Sequence, residues 1–214
     1  MSPEALPRRP YRSPRRDAEA AATRRAIVDA ATATFVERGY VATTIDEIAA
    51  RAVVSPKTVY ATFGSKRHIL EAVLDRAIAG DDAPIPILER PWVAGLRAAT
   101  EPEARLAILA REGAAILARR SAIDEVVREA ATTDPGLTEL AARLNTERRA
   151  GQAALLRLAL APHAVDETAI DTLYALGSPA VHRLLTRDRG WSQRRFATWY
   201  AATLRRLFLP GGGG

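Results

Sequence analysis

Residues 43–66, TTIDEIAARAVVSPKTVYATFGSK, decide the fold. Thr44 stands three residues before Glu47, the spacing of a capping box, in which each side chain satisfies a free N–H at a helix start. Ile45, Ile48 and Ala49 then supply one buried face of a short helix that ends near Arg51. Ala52, Val53 and Val54 form a turn. Ser55 caps the next helix, and Pro56 takes its first position, where a missing N–H costs nothing. This helix runs to about Thr62. Ser65 caps a further helix with Ile69, Leu70, Val73, Leu74 and Ala77 as its apolar stripe. Two short helices joined by a tight turn make a helix-turn-helix. The second of them opens with Ser55, Lys57, Thr58 and Tyr60, a poor set for a core and a good one for a major groove about 12 Å wide. Its N-terminal N–H groups and dipole favour phosphate, with Lys57 as a mobile cation and Lys66 at the start of the following helix.

Upstream, the spacing of Ile27, Ala31 and Phe35 predicts a helix over Ala20–Arg38, stopped by Gly39. Residues 1–18 are rich in Pro and Arg and are expected to form a disordered basic arm. Downstream, residues 81–90 carry two prolines and are expected to be a linker. A short helix follows at Trp92–Ala99. Thr100 and Glu103 have capping-box spacing and are expected to open a helix to about Arg120, with a separate one over Ala122–Thr132. Asp134-Pro135 starts a long helix ending at Ala161-Pro162. A helical stretch over 166–187 is broken at Gly177-Ser178-Pro179, and Ser192 caps a last helix to Leu209, before a Gly tail over 210–214. No strand and no internal repeat is evident. The expected fold is all-α, with an N-terminal three-helix helix-turn-helix domain at 19–80 and a helical regulatory domain at 91–209.

Composition fits this reading. The chain has 214 residues, 48% of them hydrophobic, and no cysteine, so disulfides, thiolate metal sites and Cys nucleophiles are excluded. Net charge is +6, and residues 1–80 hold 13 basic against 9 acidic side chains, which favours a polyanionic partner. No apolar run reaches the ~18 residues of a membrane span. A cytoplasmic home and no membrane association are expected. His68, His163 and His182 lie far apart, and neither HExxH, a P-loop nor GxGxxG occurs, so no metal, cofactor or catalytic group is expected and an enzyme is the least favoured class. A sequence-neutral, nucleoid-type DNA binder is the closer rival.

The run from Thr23 to Ala77 resembles the TetR family of bacterial repressors. The resemblance rests on Gly39-Tyr40, Thr43-Thr44, Ile48-Ala49, Val54-Ser55, Thr58 and Tyr60, Phe63 and Ser65-Lys66. It implies that Thr44, Tyr60 and Lys66 contact phosphates, that Pro56, Lys57, Thr58 and Thr62 line or read the groove, with Tyr60 able to do either, and that Thr43 and Ser55 belong to the same surface. It implies a ligand-responsive repressor that binds a (pseudo)palindromic operator of double-stranded DNA as a homodimer. Two departures stand out. Val53 occupies a turn position where the family usually has Gly, and Ala61 and Thr62 replace larger groove-facing residues.

The family pairs its last two helices with those of a partner chain. Phe196, Trp199, Tyr200, Thr203 and Leu207 fall on one stripe of the last helix, and Leu184 belongs to a similar face before it; intrachain core is the alternative for each. The resemblance also implies a pocket for an unknown small-molecule effector in the C-terminal domain. Gly113 and Gly151 inside helices leave either space or close crossings there. Arg148, Tyr174 and Trp92 are the candidate lining residues, and Arg148 has pairing with Glu147 as an alternative.

Overall fold

The computed structural model describes residues 14–209, and these are helical with no strand among them. The N-terminal unit comprises α1 (Pro14–Ala42), α2 (Ile45–Arg51), α3 (Pro56–Phe63) and α4 (Lys66–Ala79). The rest comprises α5 (Pro91–Ala98), α6 (Pro102–Ala130), α7 (Pro135–Leu160), α8 (Glu167–Leu176), α9 (Pro179–Arg183) and α10 (Gln193–Phe208). A single 3-10 turn, Ile87–Glu89, lies between α4 and α5, and a π turn, Leu184–Asp188, follows α9.

Most predicted caps act as caps. Thr44 and Glu47 close a reciprocal box, and Ser55, Ser65, Asp134 and Ser192 each accept a first-turn N–H. Three expectations need correction. The basic arm was drawn to residue 18, but α1 already begins at Pro14; the remainder of that arm and the 210–214 tail lie outside the described residues. Thr100 caps nothing: Pro102 takes the first helical position, so Glu101 is the N-cap and makes no side-chain bond. The helices expected from Thr100 to about Arg120 and over 122–132 are one helix, in which the Ser121 hydroxyl donates back to the Leu117 carbonyl.

Two apolar cores result, and α6 and α7 run through both. The first holds Ile27, Phe35, Ile48, Val59, Phe63 and Leu70 from α1–α4. It is completed by Ile123, Val126, Val127 and Ala130 of α6 and Leu137 and Leu140 of α7. The second joins α5, the first half of α6, the second half of α7, α8 and α10 around Leu96, Leu106, Leu156 and Phe196. The packing therefore crosses the boundary expected at 81–90. That segment is also ordered by one residue. Arg90, 4% exposed, donates to both carboxylate oxygens of Asp81 at 2.7 Å and to the Ala83 and Ile85 carbonyls at 2.9 and 3.0 Å. Arg119 of α6 grips the end of α4, donating to the Ala77 and Ile78 carbonyls at 2.9 and 3.2 Å, where a cation also meets the negative end of the helix dipole.

Candidate nucleic-acid interface and effector cavity

The turn between α2 and α3 is closed by two main-chain bonds. Val53 N donates to Ala50 O at 3.2 Å and Val54 N to Ala49 O at 3.0 Å, the pattern that requires a left-handed residue just past the helix cap. Val53 takes that conformation, φ +57°, and is 90% exposed. The left-handed need inferred from the usual Gly at this position is thus real, and a β-branched residue meets it.

With the turn closed, α3 packs Val59 and Phe63 into the core. Pro56, Lys57, Tyr60 and Ala61 face outward, and Tyr60 is 55% exposed. Lys57 forms no ion pair or hydrogen bond among the described residues, so its ammonium is available. Ser55 and Thr58 are tied together: the Ser55 hydroxyl accepts Thr58 N at 3.1 Å and lies 2.8 Å from the Thr58 hydroxyl. Thr62 spends its hydroxyl on the Thr58 carbonyl at 2.8 Å. Both threonines are half-buried, so they border the outward face rather than project from it.

Two residues of the predicted surface point elsewhere. Thr43 is buried, its hydroxyl donating to Gly39 O at 2.7 Å, because α1 breaks at Gly39 (φ +77°, ψ 169°) and the released carbonyl needs a donor. Lys66 folds back over the Tyr40 ring at 4.4 Å and donates to the Tyr40 and Thr43 carbonyls, both at 2.8 Å. Burial pulls its ammonium below the usual lysine range. It braces the α1–α2 corner from inside. Thr44 stays exposed beside it. Its backbone N–H bond to Glu47 holds that carboxyl below its ordinary value, with the Thr44 hydroxyl and the charges of Arg38 and Lys66 acting in the same direction against desolvation.

The second core encloses a cavity of about 260 Å³. Apolar side chains from Ile78 of α4 to Leu173 of α8 line most of it, and Trp92, Arg148, Gly113 and Gly151 of the sequence reading are among its walls. A Cβ at Gly151 would meet nothing within 4 Å, whereas one at Gly113 would come within 3.2 Å of the Tyr200 ring. Gly151 thus leaves space, and Gly113 serves a close crossing. Among the described residues Arg148 pairs with no carboxylate. It stacks on Tyr174 with 3.6 Å from Cζ to the ring centroid, donates to Tyr174 O at 2.8 Å, and is held below the usual arginine range by burial. Tyr174 itself stands behind Arg148, outside the lining. Gln152, Arg120 and Tyr200 also line the cavity and were not foreseen there; the sequence signal was the small residue Gly177, against which Gln152 and Tyr200 close.

The stripe on α10 divides. Phe196 and Tyr200, expected at a dimer interface, are buried at 0% and 2% exposure against α6 and belong to the chain's own core. Trp199 and Thr203 are half-buried, and Leu184 and Leu207 are exposed. Among the described residues no helix is long and apolar enough to cross a membrane, and no cluster of His, Asp and Glu fits a metal ion.

Comparison with known proteins bears on this surface. Residues 27–73, which span α1 through most of α4, match the family described as bacterial regulatory proteins, tetR family. The HTH-type transcriptional repressor Rv3405c of Mycobacterium tuberculosis is 42% identical over 71 residues, 30% of this chain and 38% of that protein. This chain therefore spans under two fifths of that relative's length. The HTH-type transcriptional regulator TtgW of Pseudomonas putida is 38% identical over 95 residues, 41% of this chain and 71% of that protein. The fold extends further than the sequence match. A transcriptional regulator from Saccharomonospora viridis, solved in complex with choline, superposes with a TM-score of 0.62 at 21% identity, over 87% of this chain and 97% of the other. The closed turn, the outward polar helix and the matches that centre on them agree: the chain belongs to the tetR family of bacterial regulatory proteins, DNA-binding transcription regulators.

Proposed function

We propose that the chain is a ligand-responsive repressor that binds a (pseudo)palindromic operator as a homodimer. The observation that carries this reading is the outward face of α3. Lys57 and Tyr60 stand free there, while Val59 and Phe63 anchor the helix from behind. In this reading Pro56, Lys57 and Tyr60 meet base edges and the groove wall, and Thr44 and Ser55 mark the helix starts whose remaining free N–H groups face phosphate. Contacts of the second kind set register, and those of the first specify sequence.

One eight-residue helix offers few base contacts, and two half-sites about 34–36 Å apart double them. Leu184, Trp199, Thr203 and Leu207 supply the surface for pairing. Ligand response is supported by the cavity, because Ile78 of α4 is part of its wall and α4 directly follows α3. A ligand acts only through different affinity for different settings of the two recognition helices. The domain assignment is retained in function for DNA contact in 19–80 and partner contact in 91–209, while effector contact centres on 91–209 and extends to Ile78 and Ile87. Selection of duplexes from a random pool tests the proposal. Enriched half-sites spaced by one helical turn are expected. A recovered pool with no common sequence would instead mark a sequence-neutral binder.

A further inference from the structure

The polar groups of the cavity are not scattered; they converge at Gly177. Gln152 Nε2 donates to Gly177 O at 3.2 Å, and Arg148 Nη1 approaches the same carbonyl at 3.4 Å. A Cβ built on Gly177 would lie 2.7 Å from both Gln152 Nε2 and the Tyr200 hydroxyl. Guanidinium, carboxamide N–H and phenol thus meet at one end, and all three donate hydrogen bonds. Tyr200 is 2% exposed and lines the cavity.

The charges of the cavity are unequally matched. Arg120 is neutralised by Asp124 through bonds of 2.6 and 2.7 Å. Glu147, exposed at the edge, pairs with Arg143 at 3.3 Å. Arg148 has no carboxylate within ion-pair distance among the described residues, and its Nε and Nη2 make no bond while Nη1 donates to the Tyr174 and Gly177 carbonyls and to Gln152 Oε1. A half-buried guanidinium without a counter-charge, with two of its nitrogens open to the cavity, favours an anion there through charge-assisted bonds. The remaining wall, including Ile78, Ile87, Trp92 and Leu155, is apolar.

We infer that the effector is a small hydrophobic monocarboxylate, its carboxylate received by Arg148, Tyr200 and Gln152 and its apolar body lying toward Trp92 and Ile78. This rests on the cavity being the effector site. Its size agrees, since an apolar cavity of roughly 150 Å³ takes benzene and this one is about 260 Å³.

Octanoate, octanamide and octylammonium share one body and differ in head group. Calorimetric titration of the full chain with each separates the possibilities. Octanoate is expected to bind roughly 10- to 100-fold tighter than octanamide, as a charge-assisted pair requires, and octylammonium most weakly. Arg148→Gln should erase the preference for octanoate while octanamide binding stays within a few-fold, and Arg148→Lys should keep part of it. Equal or tighter binding of octanamide or octylammonium overturns the monocarboxylate and leaves the cavity standing. So does a preference that survives in Arg148→Gln. Gly151→Leu, which fills the space, should block every probe. Binding unchanged by that substitution, or no binding of any probe to the natural chain, overturns the cavity reading itself. Should Arg148→Gln fail to fold, the ranking on the natural chain decides.

Discussion

Lys66 and Thr44 both carry the signature of phosphate contact in the sequence, yet only Thr44 is displayed. The difference is the break at Gly39. It frees carbonyls at the end of α1, and the nearest cation turns inward to satisfy them. A sequence pattern gives the residue type at a position but not which of two acceptors, solvent phosphate or local carbonyl, lies closer. Lys66→Ala should therefore cost about 1 kcal/mol of stability and leave the salt dependence of DNA binding unchanged. A phosphate-contacting lysine would instead reduce the salt slope by roughly one unit. Tyr200 gives a second residue-scale expectation. Burial raises its phenol above the ordinary tyrosine value of 10.0. The unfolded chain therefore loses this proton first, so the stability linked to it is complete below about pH 10 and falls as pH rises beyond. Urea unfolding should show a shallower alkaline decline in Tyr200→Phe than in the natural chain.

At the scale of elements, the turn and the helix starts were the most legible features, because a cap is a local exchange of hydrogen bonds between neighbours in sequence. Thr44–Glu47, Ser55, Ser65, Asp134 and Ser192 all act as read. Thr100 failed because proline two residues later fixes the helix start nearer to itself, and the continuity of α6 was hidden because the polar run Arg119-Arg120-Ser121 interrupts its apolar pattern. Val53 carries the cost of its left-handed conformation on behalf of the turn. Val53→Gly is expected to stabilise the chain by about 1 kcal/mol net of added chain entropy, checked as a rise in the urea midpoint. The glycines of the cavity should separate in the same assay. Gly151→Ala has open space and a helical backbone, and should stabilise by about 0.5–1 kcal/mol. Gly177→Ala places a methyl 3.0 Å from the Leu173 carbonyl and closer still to Tyr200 and Gln152, and should destabilise by about 1–3 kcal/mol.

At the scale of the molecule, the sequence pattern divided the chain at two prolines, and the packing does not. Periodicity shows that Val127 and Leu140 are buried, but not against which partner, since a helix face carries no address. In the structure they close the core under the DNA-binding helices, and Arg90 and Arg119 hold the connecting strap and α4 to the same frame. A fragment ending at residue 80 should thus lack a stable core, and circular dichroism should show little cooperative melting. The effector cavity was half legible for the same reason. Its walls Trp92 and Arg148 stood out as odd residues on apolar faces, whereas Tyr200 looked like part of a partner-facing stripe until α6 was seen to cover it.

The central claim is that the outward face of α3 reads bases. Equilibrium binding of the natural chain, Lys57→Ala and Tyr60→Ala tests it most directly, on a selected half-site, on its single-base variants and on random duplex. Each substitution should weaken binding to the selected site by roughly 5- to 100-fold and flatten discrimination at one base position, with random-duplex affinity changing far less. Equal losses on every duplex, or no loss on any, would contradict the account.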